Sequence, residues 1–375
     1  MEMQGVLVMP ISANKGLMYQ VLDNLKSMIR IIDEDNNMIY MNKKMRDQFG
    51  DKTGKKCYTL FHHGEKCEEC IGCKSIETNS DQTIEIEYKG KHYRVIASPA
   101  KLTRSGLYSI EFFQDITEQK KLEREFMEHY EKLKGDIEFA KQMQVKALPD
   151  DGIYWNSLKL NSAYLPSEDL GGDIFDIVRI DRDNCIFYIA DVSGHGVRSS
   201  LLTMFLRQVI RGLKPNAAEP IAFIEEMIKG YHNLNLDNEN YISVLCGIYN
   251  IKTRGLSLIN AGHNCPPIVL DANRKKATEI VIKGMPICSL LKRPNHQVRV
   301  VQMEKGDKIL LYTDGVSEAF NNKDDKSFGI EGIKKVLLEC GNDNETIVNK
   351  LINKAKKFAG GTPTDDMAVV MLEIL

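Results

Sequence analysis

Six aspartates stand beside apolar runs, a place aspartate seldom takes. Asp191 closes Cys185-Ile186-Phe187-Tyr188-Ile189-Ala190, and Asp314 follows Ile309-Leu310-Leu311-Tyr312-Thr313. Asp365 and Asp366 immediately precede Met367-Ala368-Val369-Val370-Met371-Leu372, while Asp173 and Asp176 lie in Gly171-Gly172-Asp173-Ile174-Phe175-Asp176. Aspartate is depleted within strands, and one alone at a strand end reads as a turn or a helix cap. Three separate apolar strands each bearing one predict a convergent carboxylate cluster. Such a cluster repels itself unless it holds hard cations, and all-oxygen ligation selects Mg2+ or Mn2+. Two such ions can activate a water and clamp a phosphoryl group for in-line attack.

A second set of chemical residues is sulfur. Cys57, Cys67, Cys70 and Cys73 crowd one short stretch, and Cys67-x2-Cys70-x2-Cys73 matches part of an iron–sulfur spacing with Cys57 as a fourth thiolate. Four thiolates would equally suit a structural Zn2+, and reduced cysteines can also simply pack. His62 and His63 lie in a polar loop and read as solvated. The total of nine cysteines is odd. With no export signal at the start, they are expected to be thiols or metal ligands rather than a disulfide framework.

These residues need elements to hold them. A chain of 375 residues is too long for one compact domain. In the first third a helix over 17–26 precedes strands at Met28–Ile32 and Met38–Met41, joined by the turn residues Asp33 to Asn37. After the cysteines, strands over 83–88 and 92–98 flank Lys89-Gly90, and a fifth strand runs over 107–114. From Ile116 to Pro149 the chain is charged and helical, with Phe126, Tyr130, Leu133, Ile137, Ala140, Gln144 and Ala147 at alternating spacings of four and three. That alternation predicts a coiled-coil seam and a parallel homodimer, with Gly135 as a weak point. Beyond it, strands are expected over 158–163, 174–180, 185–190, 243–249, 255–260, 268–270, 308–312 and 368–372, with helices over 197–213, 220–234 and 345–358. Hairpins with inserted helix pairs, rather than regular βαβ alternation, predict an α+β fold with antiparallel sheets. The net charge of −2 argues against a nucleic-acid or acidic-membrane partner. No apolar run approaches the ~20 residues of a membrane helix, so a cytoplasmic protein is expected.

The first third resembles a PAS domain over about residues 15–118, in its order of hairpin, small helices and three strands closing on Asp115-Ile116-Thr117. That resemblance implies a sensor or dimerisation module. The helix end Ala140 to Pro149 is similar to the helix before RsbU-type phosphatase domains. The remainder resembles the PPM (PP2C-like) serine/threonine phosphatases of the bacterial SpoIIE/RsbU branch. Its matches are Gly171 to Asp176, Ala190-Asp191-Val192-Ser193-Gly194-His195-Gly196, Asn260-Ala261-Gly262-His263-Asn264, Tyr312-Thr313-Asp314-Gly315-Val316 and Thr364-Asp365-Asp366-Met367. The resemblance implies a β-sandwich flanked by helix pairs, with Mn2+ or Mg2+ at one end. It places Asp191 between both metals with the Val192 carbonyl as a backbone ligand, Asp314 and Asp365 on one metal, and Asp173 on the other through water. Asp176 and Asp366 would either substitute for these ligands or stand behind them, His195 would stand behind them, and His195 and His263 have low priority as general acids. The implied substrate is a phosphorylated STAS-type anti-anti-sigma factor. The expected order is therefore a PAS sensor over 1–118, a coiled-coil linker over 119–150 and a phosphatase domain over 151–375.

Two other readings compete. Gly171-Gly172-Asp173 is similar to the start of a diguanylate-cyclase GGDEF loop, but Ile174 and Phe175 follow where Glu-Phe is required. A silent scaffold that only binds the phosphoprotein would be expected to lack a metal aspartate, and none is missing. No Cys-x5-Arg phosphatase loop and no P-loop is present.

Overall fold

The computed structural model describes residues 15–61, 65, 67, 69–102, 106–194, 196–213, 218–235, 240–273, 276–321 and 325–375. The chain forms two compact units, with the boundary between Lys132 and Leu133.

In the first unit, α1 (Lys15–Asn24) leads to the hairpin of β1 (Met28–Asp33) and β2 (Met38–Met41). Asn36 takes the left-handed turn position at φ 65°, which asparagine tolerates. Asn42 caps α2 (Lys43–Phe49) by accepting from the Met45 amide. Then come α3 (Tyr58–Phe61), α4 (Ile71–Thr78), β3 (Gln82–Tyr88), β4 (Lys91–Lys101) and β5 (Leu107–Asp115). The five strands form one antiparallel sheet in the order β2-β1-β5-β4-β3. Every second residue of β4, Tyr93, Val95 and Ala97, is buried, as the period of two requires. Arg30 and Glu111 face each other in register on β1 and β5 and form a buried ion pair at 2.6 Å. The Arg30 guanidinium also lies 5.0 Å from the Phe113 ring centroid. Beside the pair is a cavity of about 480 Å3, whose lining includes Cys57, Phe61, Cys67, Cys70 and Phe113.

The exit motif has a local cause. The Asp115 carboxylate accepts from the amide and hydroxyl of Thr117 at 3.0 and 2.6 Å, and so starts α5 (Thr117–Ala147). Gly135 lies inside α5 without interrupting it. Phe126, Tyr130 and Leu133 are exposed on this helix, whereas Gln144 and Ala147 are buried. The expected seam therefore divides: its first half is bare, and its end belongs to the second unit's core. Among the described residues no helix is long and apolar enough to cross a membrane.

The second unit is a four-layer sandwich. It begins with β6 (Gly152–Tyr154), β7 (Leu158–Leu165), β8 (Asp173–Arg179) and β9 (Asn184–Val192), then α6 (Val197–Arg211) and α7 (Pro220–Asn233). Next are β10 (Tyr241–Asn250), β11 (Gly255–Ala261), β12 (Ile268–Leu270), β13 (Ala277–Glu279), β14 (Ile287–Cys288), β15 (Val298–Gln302) and β16 (Lys308–Tyr312). It ends with α8 (Asp314–Ser317), β17 (Phe320–Asn321), β18 (Lys326–Ser327), α9 (Gly329–Glu339), α10 (Asn344–Phe358) and β19 (Met367–Ile374). One sheet runs β15-β11-β10-β9-β8 with β14 on β10, and the other runs β13-β12-β16-β19-β7-β6.

The strands read as unbroken apolar runs because both their faces are covered. Phe187 and Ile189 of β9 pack between the sheets with Leu311 of β16 and Val370 of β19. Their alternates Tyr188 and Ala190 pack under α6 and α7, while Tyr312 and Val369 pack under α9 and α10. This layering is the expected α+β arrangement. The helices α8 and α9 and the short strands β13 to β15 lie outside the elements expected from periodicity. Strands of two to five residues are too short to display a period.

Candidate active site

Asp173 opens β8, and Asp191 stands one residue from the end of β9, directly opposite it in antiparallel register. The period of two places both on the face between the sheets, in phase with Phe175 and Ile189. Like charges opposed across a strand pair repel. Asp173 is 2% exposed, and its Oδ2 has no hydrogen-bond partner. Burial first, then the Asp191 charge, holds its carboxyl well above the usual range, against the hydrogen bond of Thr313. Burial and the charges of Asp314, Asp365 and Asp366 push Asp191 up to about 7. Asp365 is raised as well, again mainly by burial. Asp314 begins α8, separated from β16 by Thr313 alone, and Asp365 stands two residues before β19. Four acids distant in sequence are thus electrostatically coupled at one end of the sandwich.

Bulk cannot be accommodated around them. A Cβ on Gly172 would lie 2.8 Å from the Val192 carbonyl oxygen, and one on Gly315 would lie 2.1 Å from the Asp366 carbonyl oxygen. Only glycine permits such backbone approach. Asp366 does not join the coupled acids as a free carboxylate. Its Oδ1 accepts from the amide and hydroxyl of Ser167 at 2.7 and 2.9 Å, and its Oδ2 accepts from the Gly172 amide at 2.5 Å. It ties the loop before Asp173 to the start of β19. Thr313 ties the end of β16 to β19, donating its amide to the Ala368 carbonyl and accepting from the Ala368 amide through Oγ1.

Sequence reasoning missed two contributors, Gln144 and Tyr164. Gln144 holds the Gly171 peptide at both ends, donating to its carbonyl at 2.7 Å and accepting from its amide at 3.1 Å. Its seam-like spacing pointed elsewhere. The Tyr164 hydroxyl is buried beside Gly171 without a partner. His263 is buried and bridges the two sheets, with Nδ1 3.3 Å from Ser243 Oγ and Nε2 3.0 Å from the Tyr312 carbonyl. Burial lowers its pKa, so the neutral ring can donate to Tyr312 and accept from Ser243. This is a strut between the sheets.

Asp176 requires correction as an outer group of the cluster. Three residues from Asp173 along β8, it points to the opposite face and meets α6. Arg211 donates to it through two nitrogens at 2.6 and 2.9 Å, and Arg207 Nε lies 3.3 Å away. Its charge is neutralised inside the fold. His195, like His62 and His63, lies outside the described residues.

In the first unit Cys73, Cys70 and Cys57 lie with their sulfurs 3.0, 3.6 and 3.9 Å from Asn36 Oδ1. Cys67 lines the adjacent cavity with Cys57 and Cys70. A hydrogen bond from Cys57 is the main reason Cys70 falls to about 5, while Cys57 is raised. Among the described residues no three His, Cys, Asp or Glu side chains close a ligand set around one point, in either unit. For the thiols, Asn36 occupies the centre that a metal would need.

For the carboxylates the donor set still fits hard divalent cations. The acids offer oxygen only, run from the buried Asp173 through the half-buried Asp191 and Asp314 to the exposed Asp365, and include an unpartnered oxygen on Asp173. Mg2+ in particular keeps several waters and needs only one or two carboxylates.

Residues 181–375, just over half of the chain, match the family model "Stage II sporulation protein E (SpoIIE)". The chain is 27% identical over 193 residues to "Phosphoserine phosphatase RsbP" of Bacillus subtilis, covering 49% of this chain and 46% of that protein. It is 22% identical over 188 residues to "Phosphoserine phosphatase RsbU" of the same organism, covering 50% and 55%. The chain thus spans about half the length of the curated relatives it matches. Among solved structures, the SiaA-PP2C domain of Pseudomonas aeruginosa shares the fold with a TM-score of 0.54 at 18% identity, over 65% of this chain and 98% of that one. The coupled acids Asp191, Asp314 and Asp365 all lie within the matched span, and the chain belongs to the SpoIIE family.

Proposed function

We propose that the sandwich unit is a metal-dependent protein serine/threonine phosphatase. The observation that carries this reading is the Asp173–Asp191 pair, opposed across β8 and β9, with Asp314 and Asp365 bearing on it and no cationic side chain of the described residues among the charges that act on these acids. Two Mn2+ or Mg2+ ions would occupy the cluster, Asp191 between them with the Val192 carbonyl, Asp314 and Asp365 on one, and Asp173 on the other through water. When bound, they would supply a water acidic enough to attack at neutral pH and a clamp for the phosphoryl oxygens. The chain's own residues hold the geometry. Asp366 and Gln144 fix the loop before Asp173, Thr313 ties β16 to β19, and His263 spans the sheets.

The substrate in this reading is a phosphorylated STAS-type anti-anti-sigma factor, and the pathway a sigma-factor response. The naming of both Bacillus relatives as phosphoserine phosphatases supports phosphoserine as the bond cleaved. The first unit would be a PAS-type sensor, a reading supported by its 2-1-5-4-3 strand order and its internal cavity. Its cysteines would take an iron–sulfur cluster or Zn2+ only after Asn36 moves aside. The bare half of α5 would pair two copies in a cytoplasmic homodimer.

The test is hydrolysis of a phosphoserine STAS domain by the full chain during Mn2+ titration. Turnover should require the metal and vanish on chelation. Undiminished turnover in excess chelator would overturn the proposal.

A further inference from the structure

The site contains a second unsatisfied polar atom that the ligand scheme does not use. Tyr164 lies on β7 opposite Ala368 of β19, and its ring meets Phe175 edge-on between the sheets, centroids 6.5 Å apart. Its hydroxyl is buried with no hydrogen-bond partner. It lies 2.0 Å from where a Gly171 Cβ would be, so residue 171 must be glycine for the phenol to reach this place. The hydroxyls of Tyr188 and Tyr312 also lack partners. Of the three, Tyr164 alone stands against the loop before Asp173, its hydroxyl 2.0 Å and Asp366 Oδ2 2.7 Å from the place of a Gly171 Cβ, and the charges that bear on it are Asp366 and Asp173.

A buried hydroxyl with no acceptor and a buried carboxylate oxygen with no donor are each costly alone. Asp366 makes no hydrogen bond to Tyr164, its oxygens being turned to Ser167 and Gly172. Asp173 Oδ2 needs a donor, and Tyr164 needs an acceptor. A water supplies both, and such polar gaps are where proteins keep ordered water.

Resting on the phosphatase reading above, we propose that Tyr164 is a positioning residue for the water through which Asp173 holds its divalent cation. The phenol donates to that water, the water donates to Asp173 Oδ2, and its second lone pair is left to face the cation.

The experiment is Tyr164→Phe in the full chain, with free Mn2+ followed by electron paramagnetic resonance and melting followed with chelator and with saturating Mn2+. The ring and its Phe175 contact are kept. Loss of one hydrogen bond to a charged assembly should weaken binding of at least one Mn2+ by about tenfold. The melting temperature with chelator should change less than that with saturating Mn2+, so the rise produced by Mn2+ should shrink. A Mn2+ titration identical to wild type would overturn the assignment. So would an equal loss of melting temperature with and without metal, the mark of a merely structural hydroxyl. Asp191→Asn separates the two readings. If it binds Mn2+ as wild type does, or wild type binds none, the metal site itself falls. If it alone loses Mn2+, only the role of Tyr164 is refuted.

Discussion

The two faces of β8 solve the same problem in opposite ways. Asp173 and Asp176 are each 2% exposed on one strand. Asp176 faces α6 and finds Arg211 and Arg207. Asp173 faces the gap between the sheets and finds other acids. A buried carboxylate that the chain neutralises itself is part of the architecture. One left with like charges demands a cation from outside. The presence of an aspartate is therefore uninformative until its surroundings are known.

The strongest way to break this contrast is to remove an acid from the uncompensated face. Asp191→Ala should reduce Mn2+-dependent hydrolysis of an aryl phosphate by on the order of 10³-fold or more. Melting with chelator should not suffer, because an opposed charge has been removed. A large loss of stability with retained turnover would reverse the assignment of the two faces. On the compensated face, Asp176→Asn should cost about 3 kcal/mol in urea unfolding by leaving the arginines without their carboxylate. Mn2+ affinity should stay as in wild type, and a loss there would join the two faces into one site.

Acidity sharpens the contrast further. In the metal-free protein Asp173 and Asp191 take up protons more readily folded than unfolded, Asp191 up to about 7 against ~3.9 for a free aspartate. Between those values the folded state binds more protons, so stability is greatest in mild acid and falls as pH rises towards 7. The melting temperature with chelator should drop by roughly 5 °C from pH 5 to pH 7.5, and Mn2+ should flatten the slope. A profile that rises over this window would contradict the coupling. The smallest effect belongs to Arg207→Ala. With Arg211 keeping its two-nitrogen grip on Asp176, the loss should be about 1 kcal/mol in the same unfolding assay.

Much of the sandwich was legible because its strands are apolar on both faces, so Asp191 and Asp314 stood out at their ends. Asp173 and Asp191 being partners was not legible, since register depends on how β8 and β9 align. Asp176 was misplaced although a clue existed. Arg207 and Arg211 are four apart on an expected helix and must share a face. The bonds of Asp366 to Ser167 and Gly172 join residues 199 and 194 positions apart, which no local pattern reports. Gln144 fitted a heptad as well as it fits Gly171, and only the folded chain tells a seam from a latch. In the first unit the five strands could be read, but Asn36 among the three thiols could not.

His263 has a consequence for tolerance. Its ring reaches from Ser243, on the strand beside β9, to the carbonyl of Tyr312, two residues before Asp314. The separation between the acids of one sheet and those of the other is therefore gauged by the width of a single imidazole. A shorter side chain at this position would change the calibre of the site without touching any of its acids.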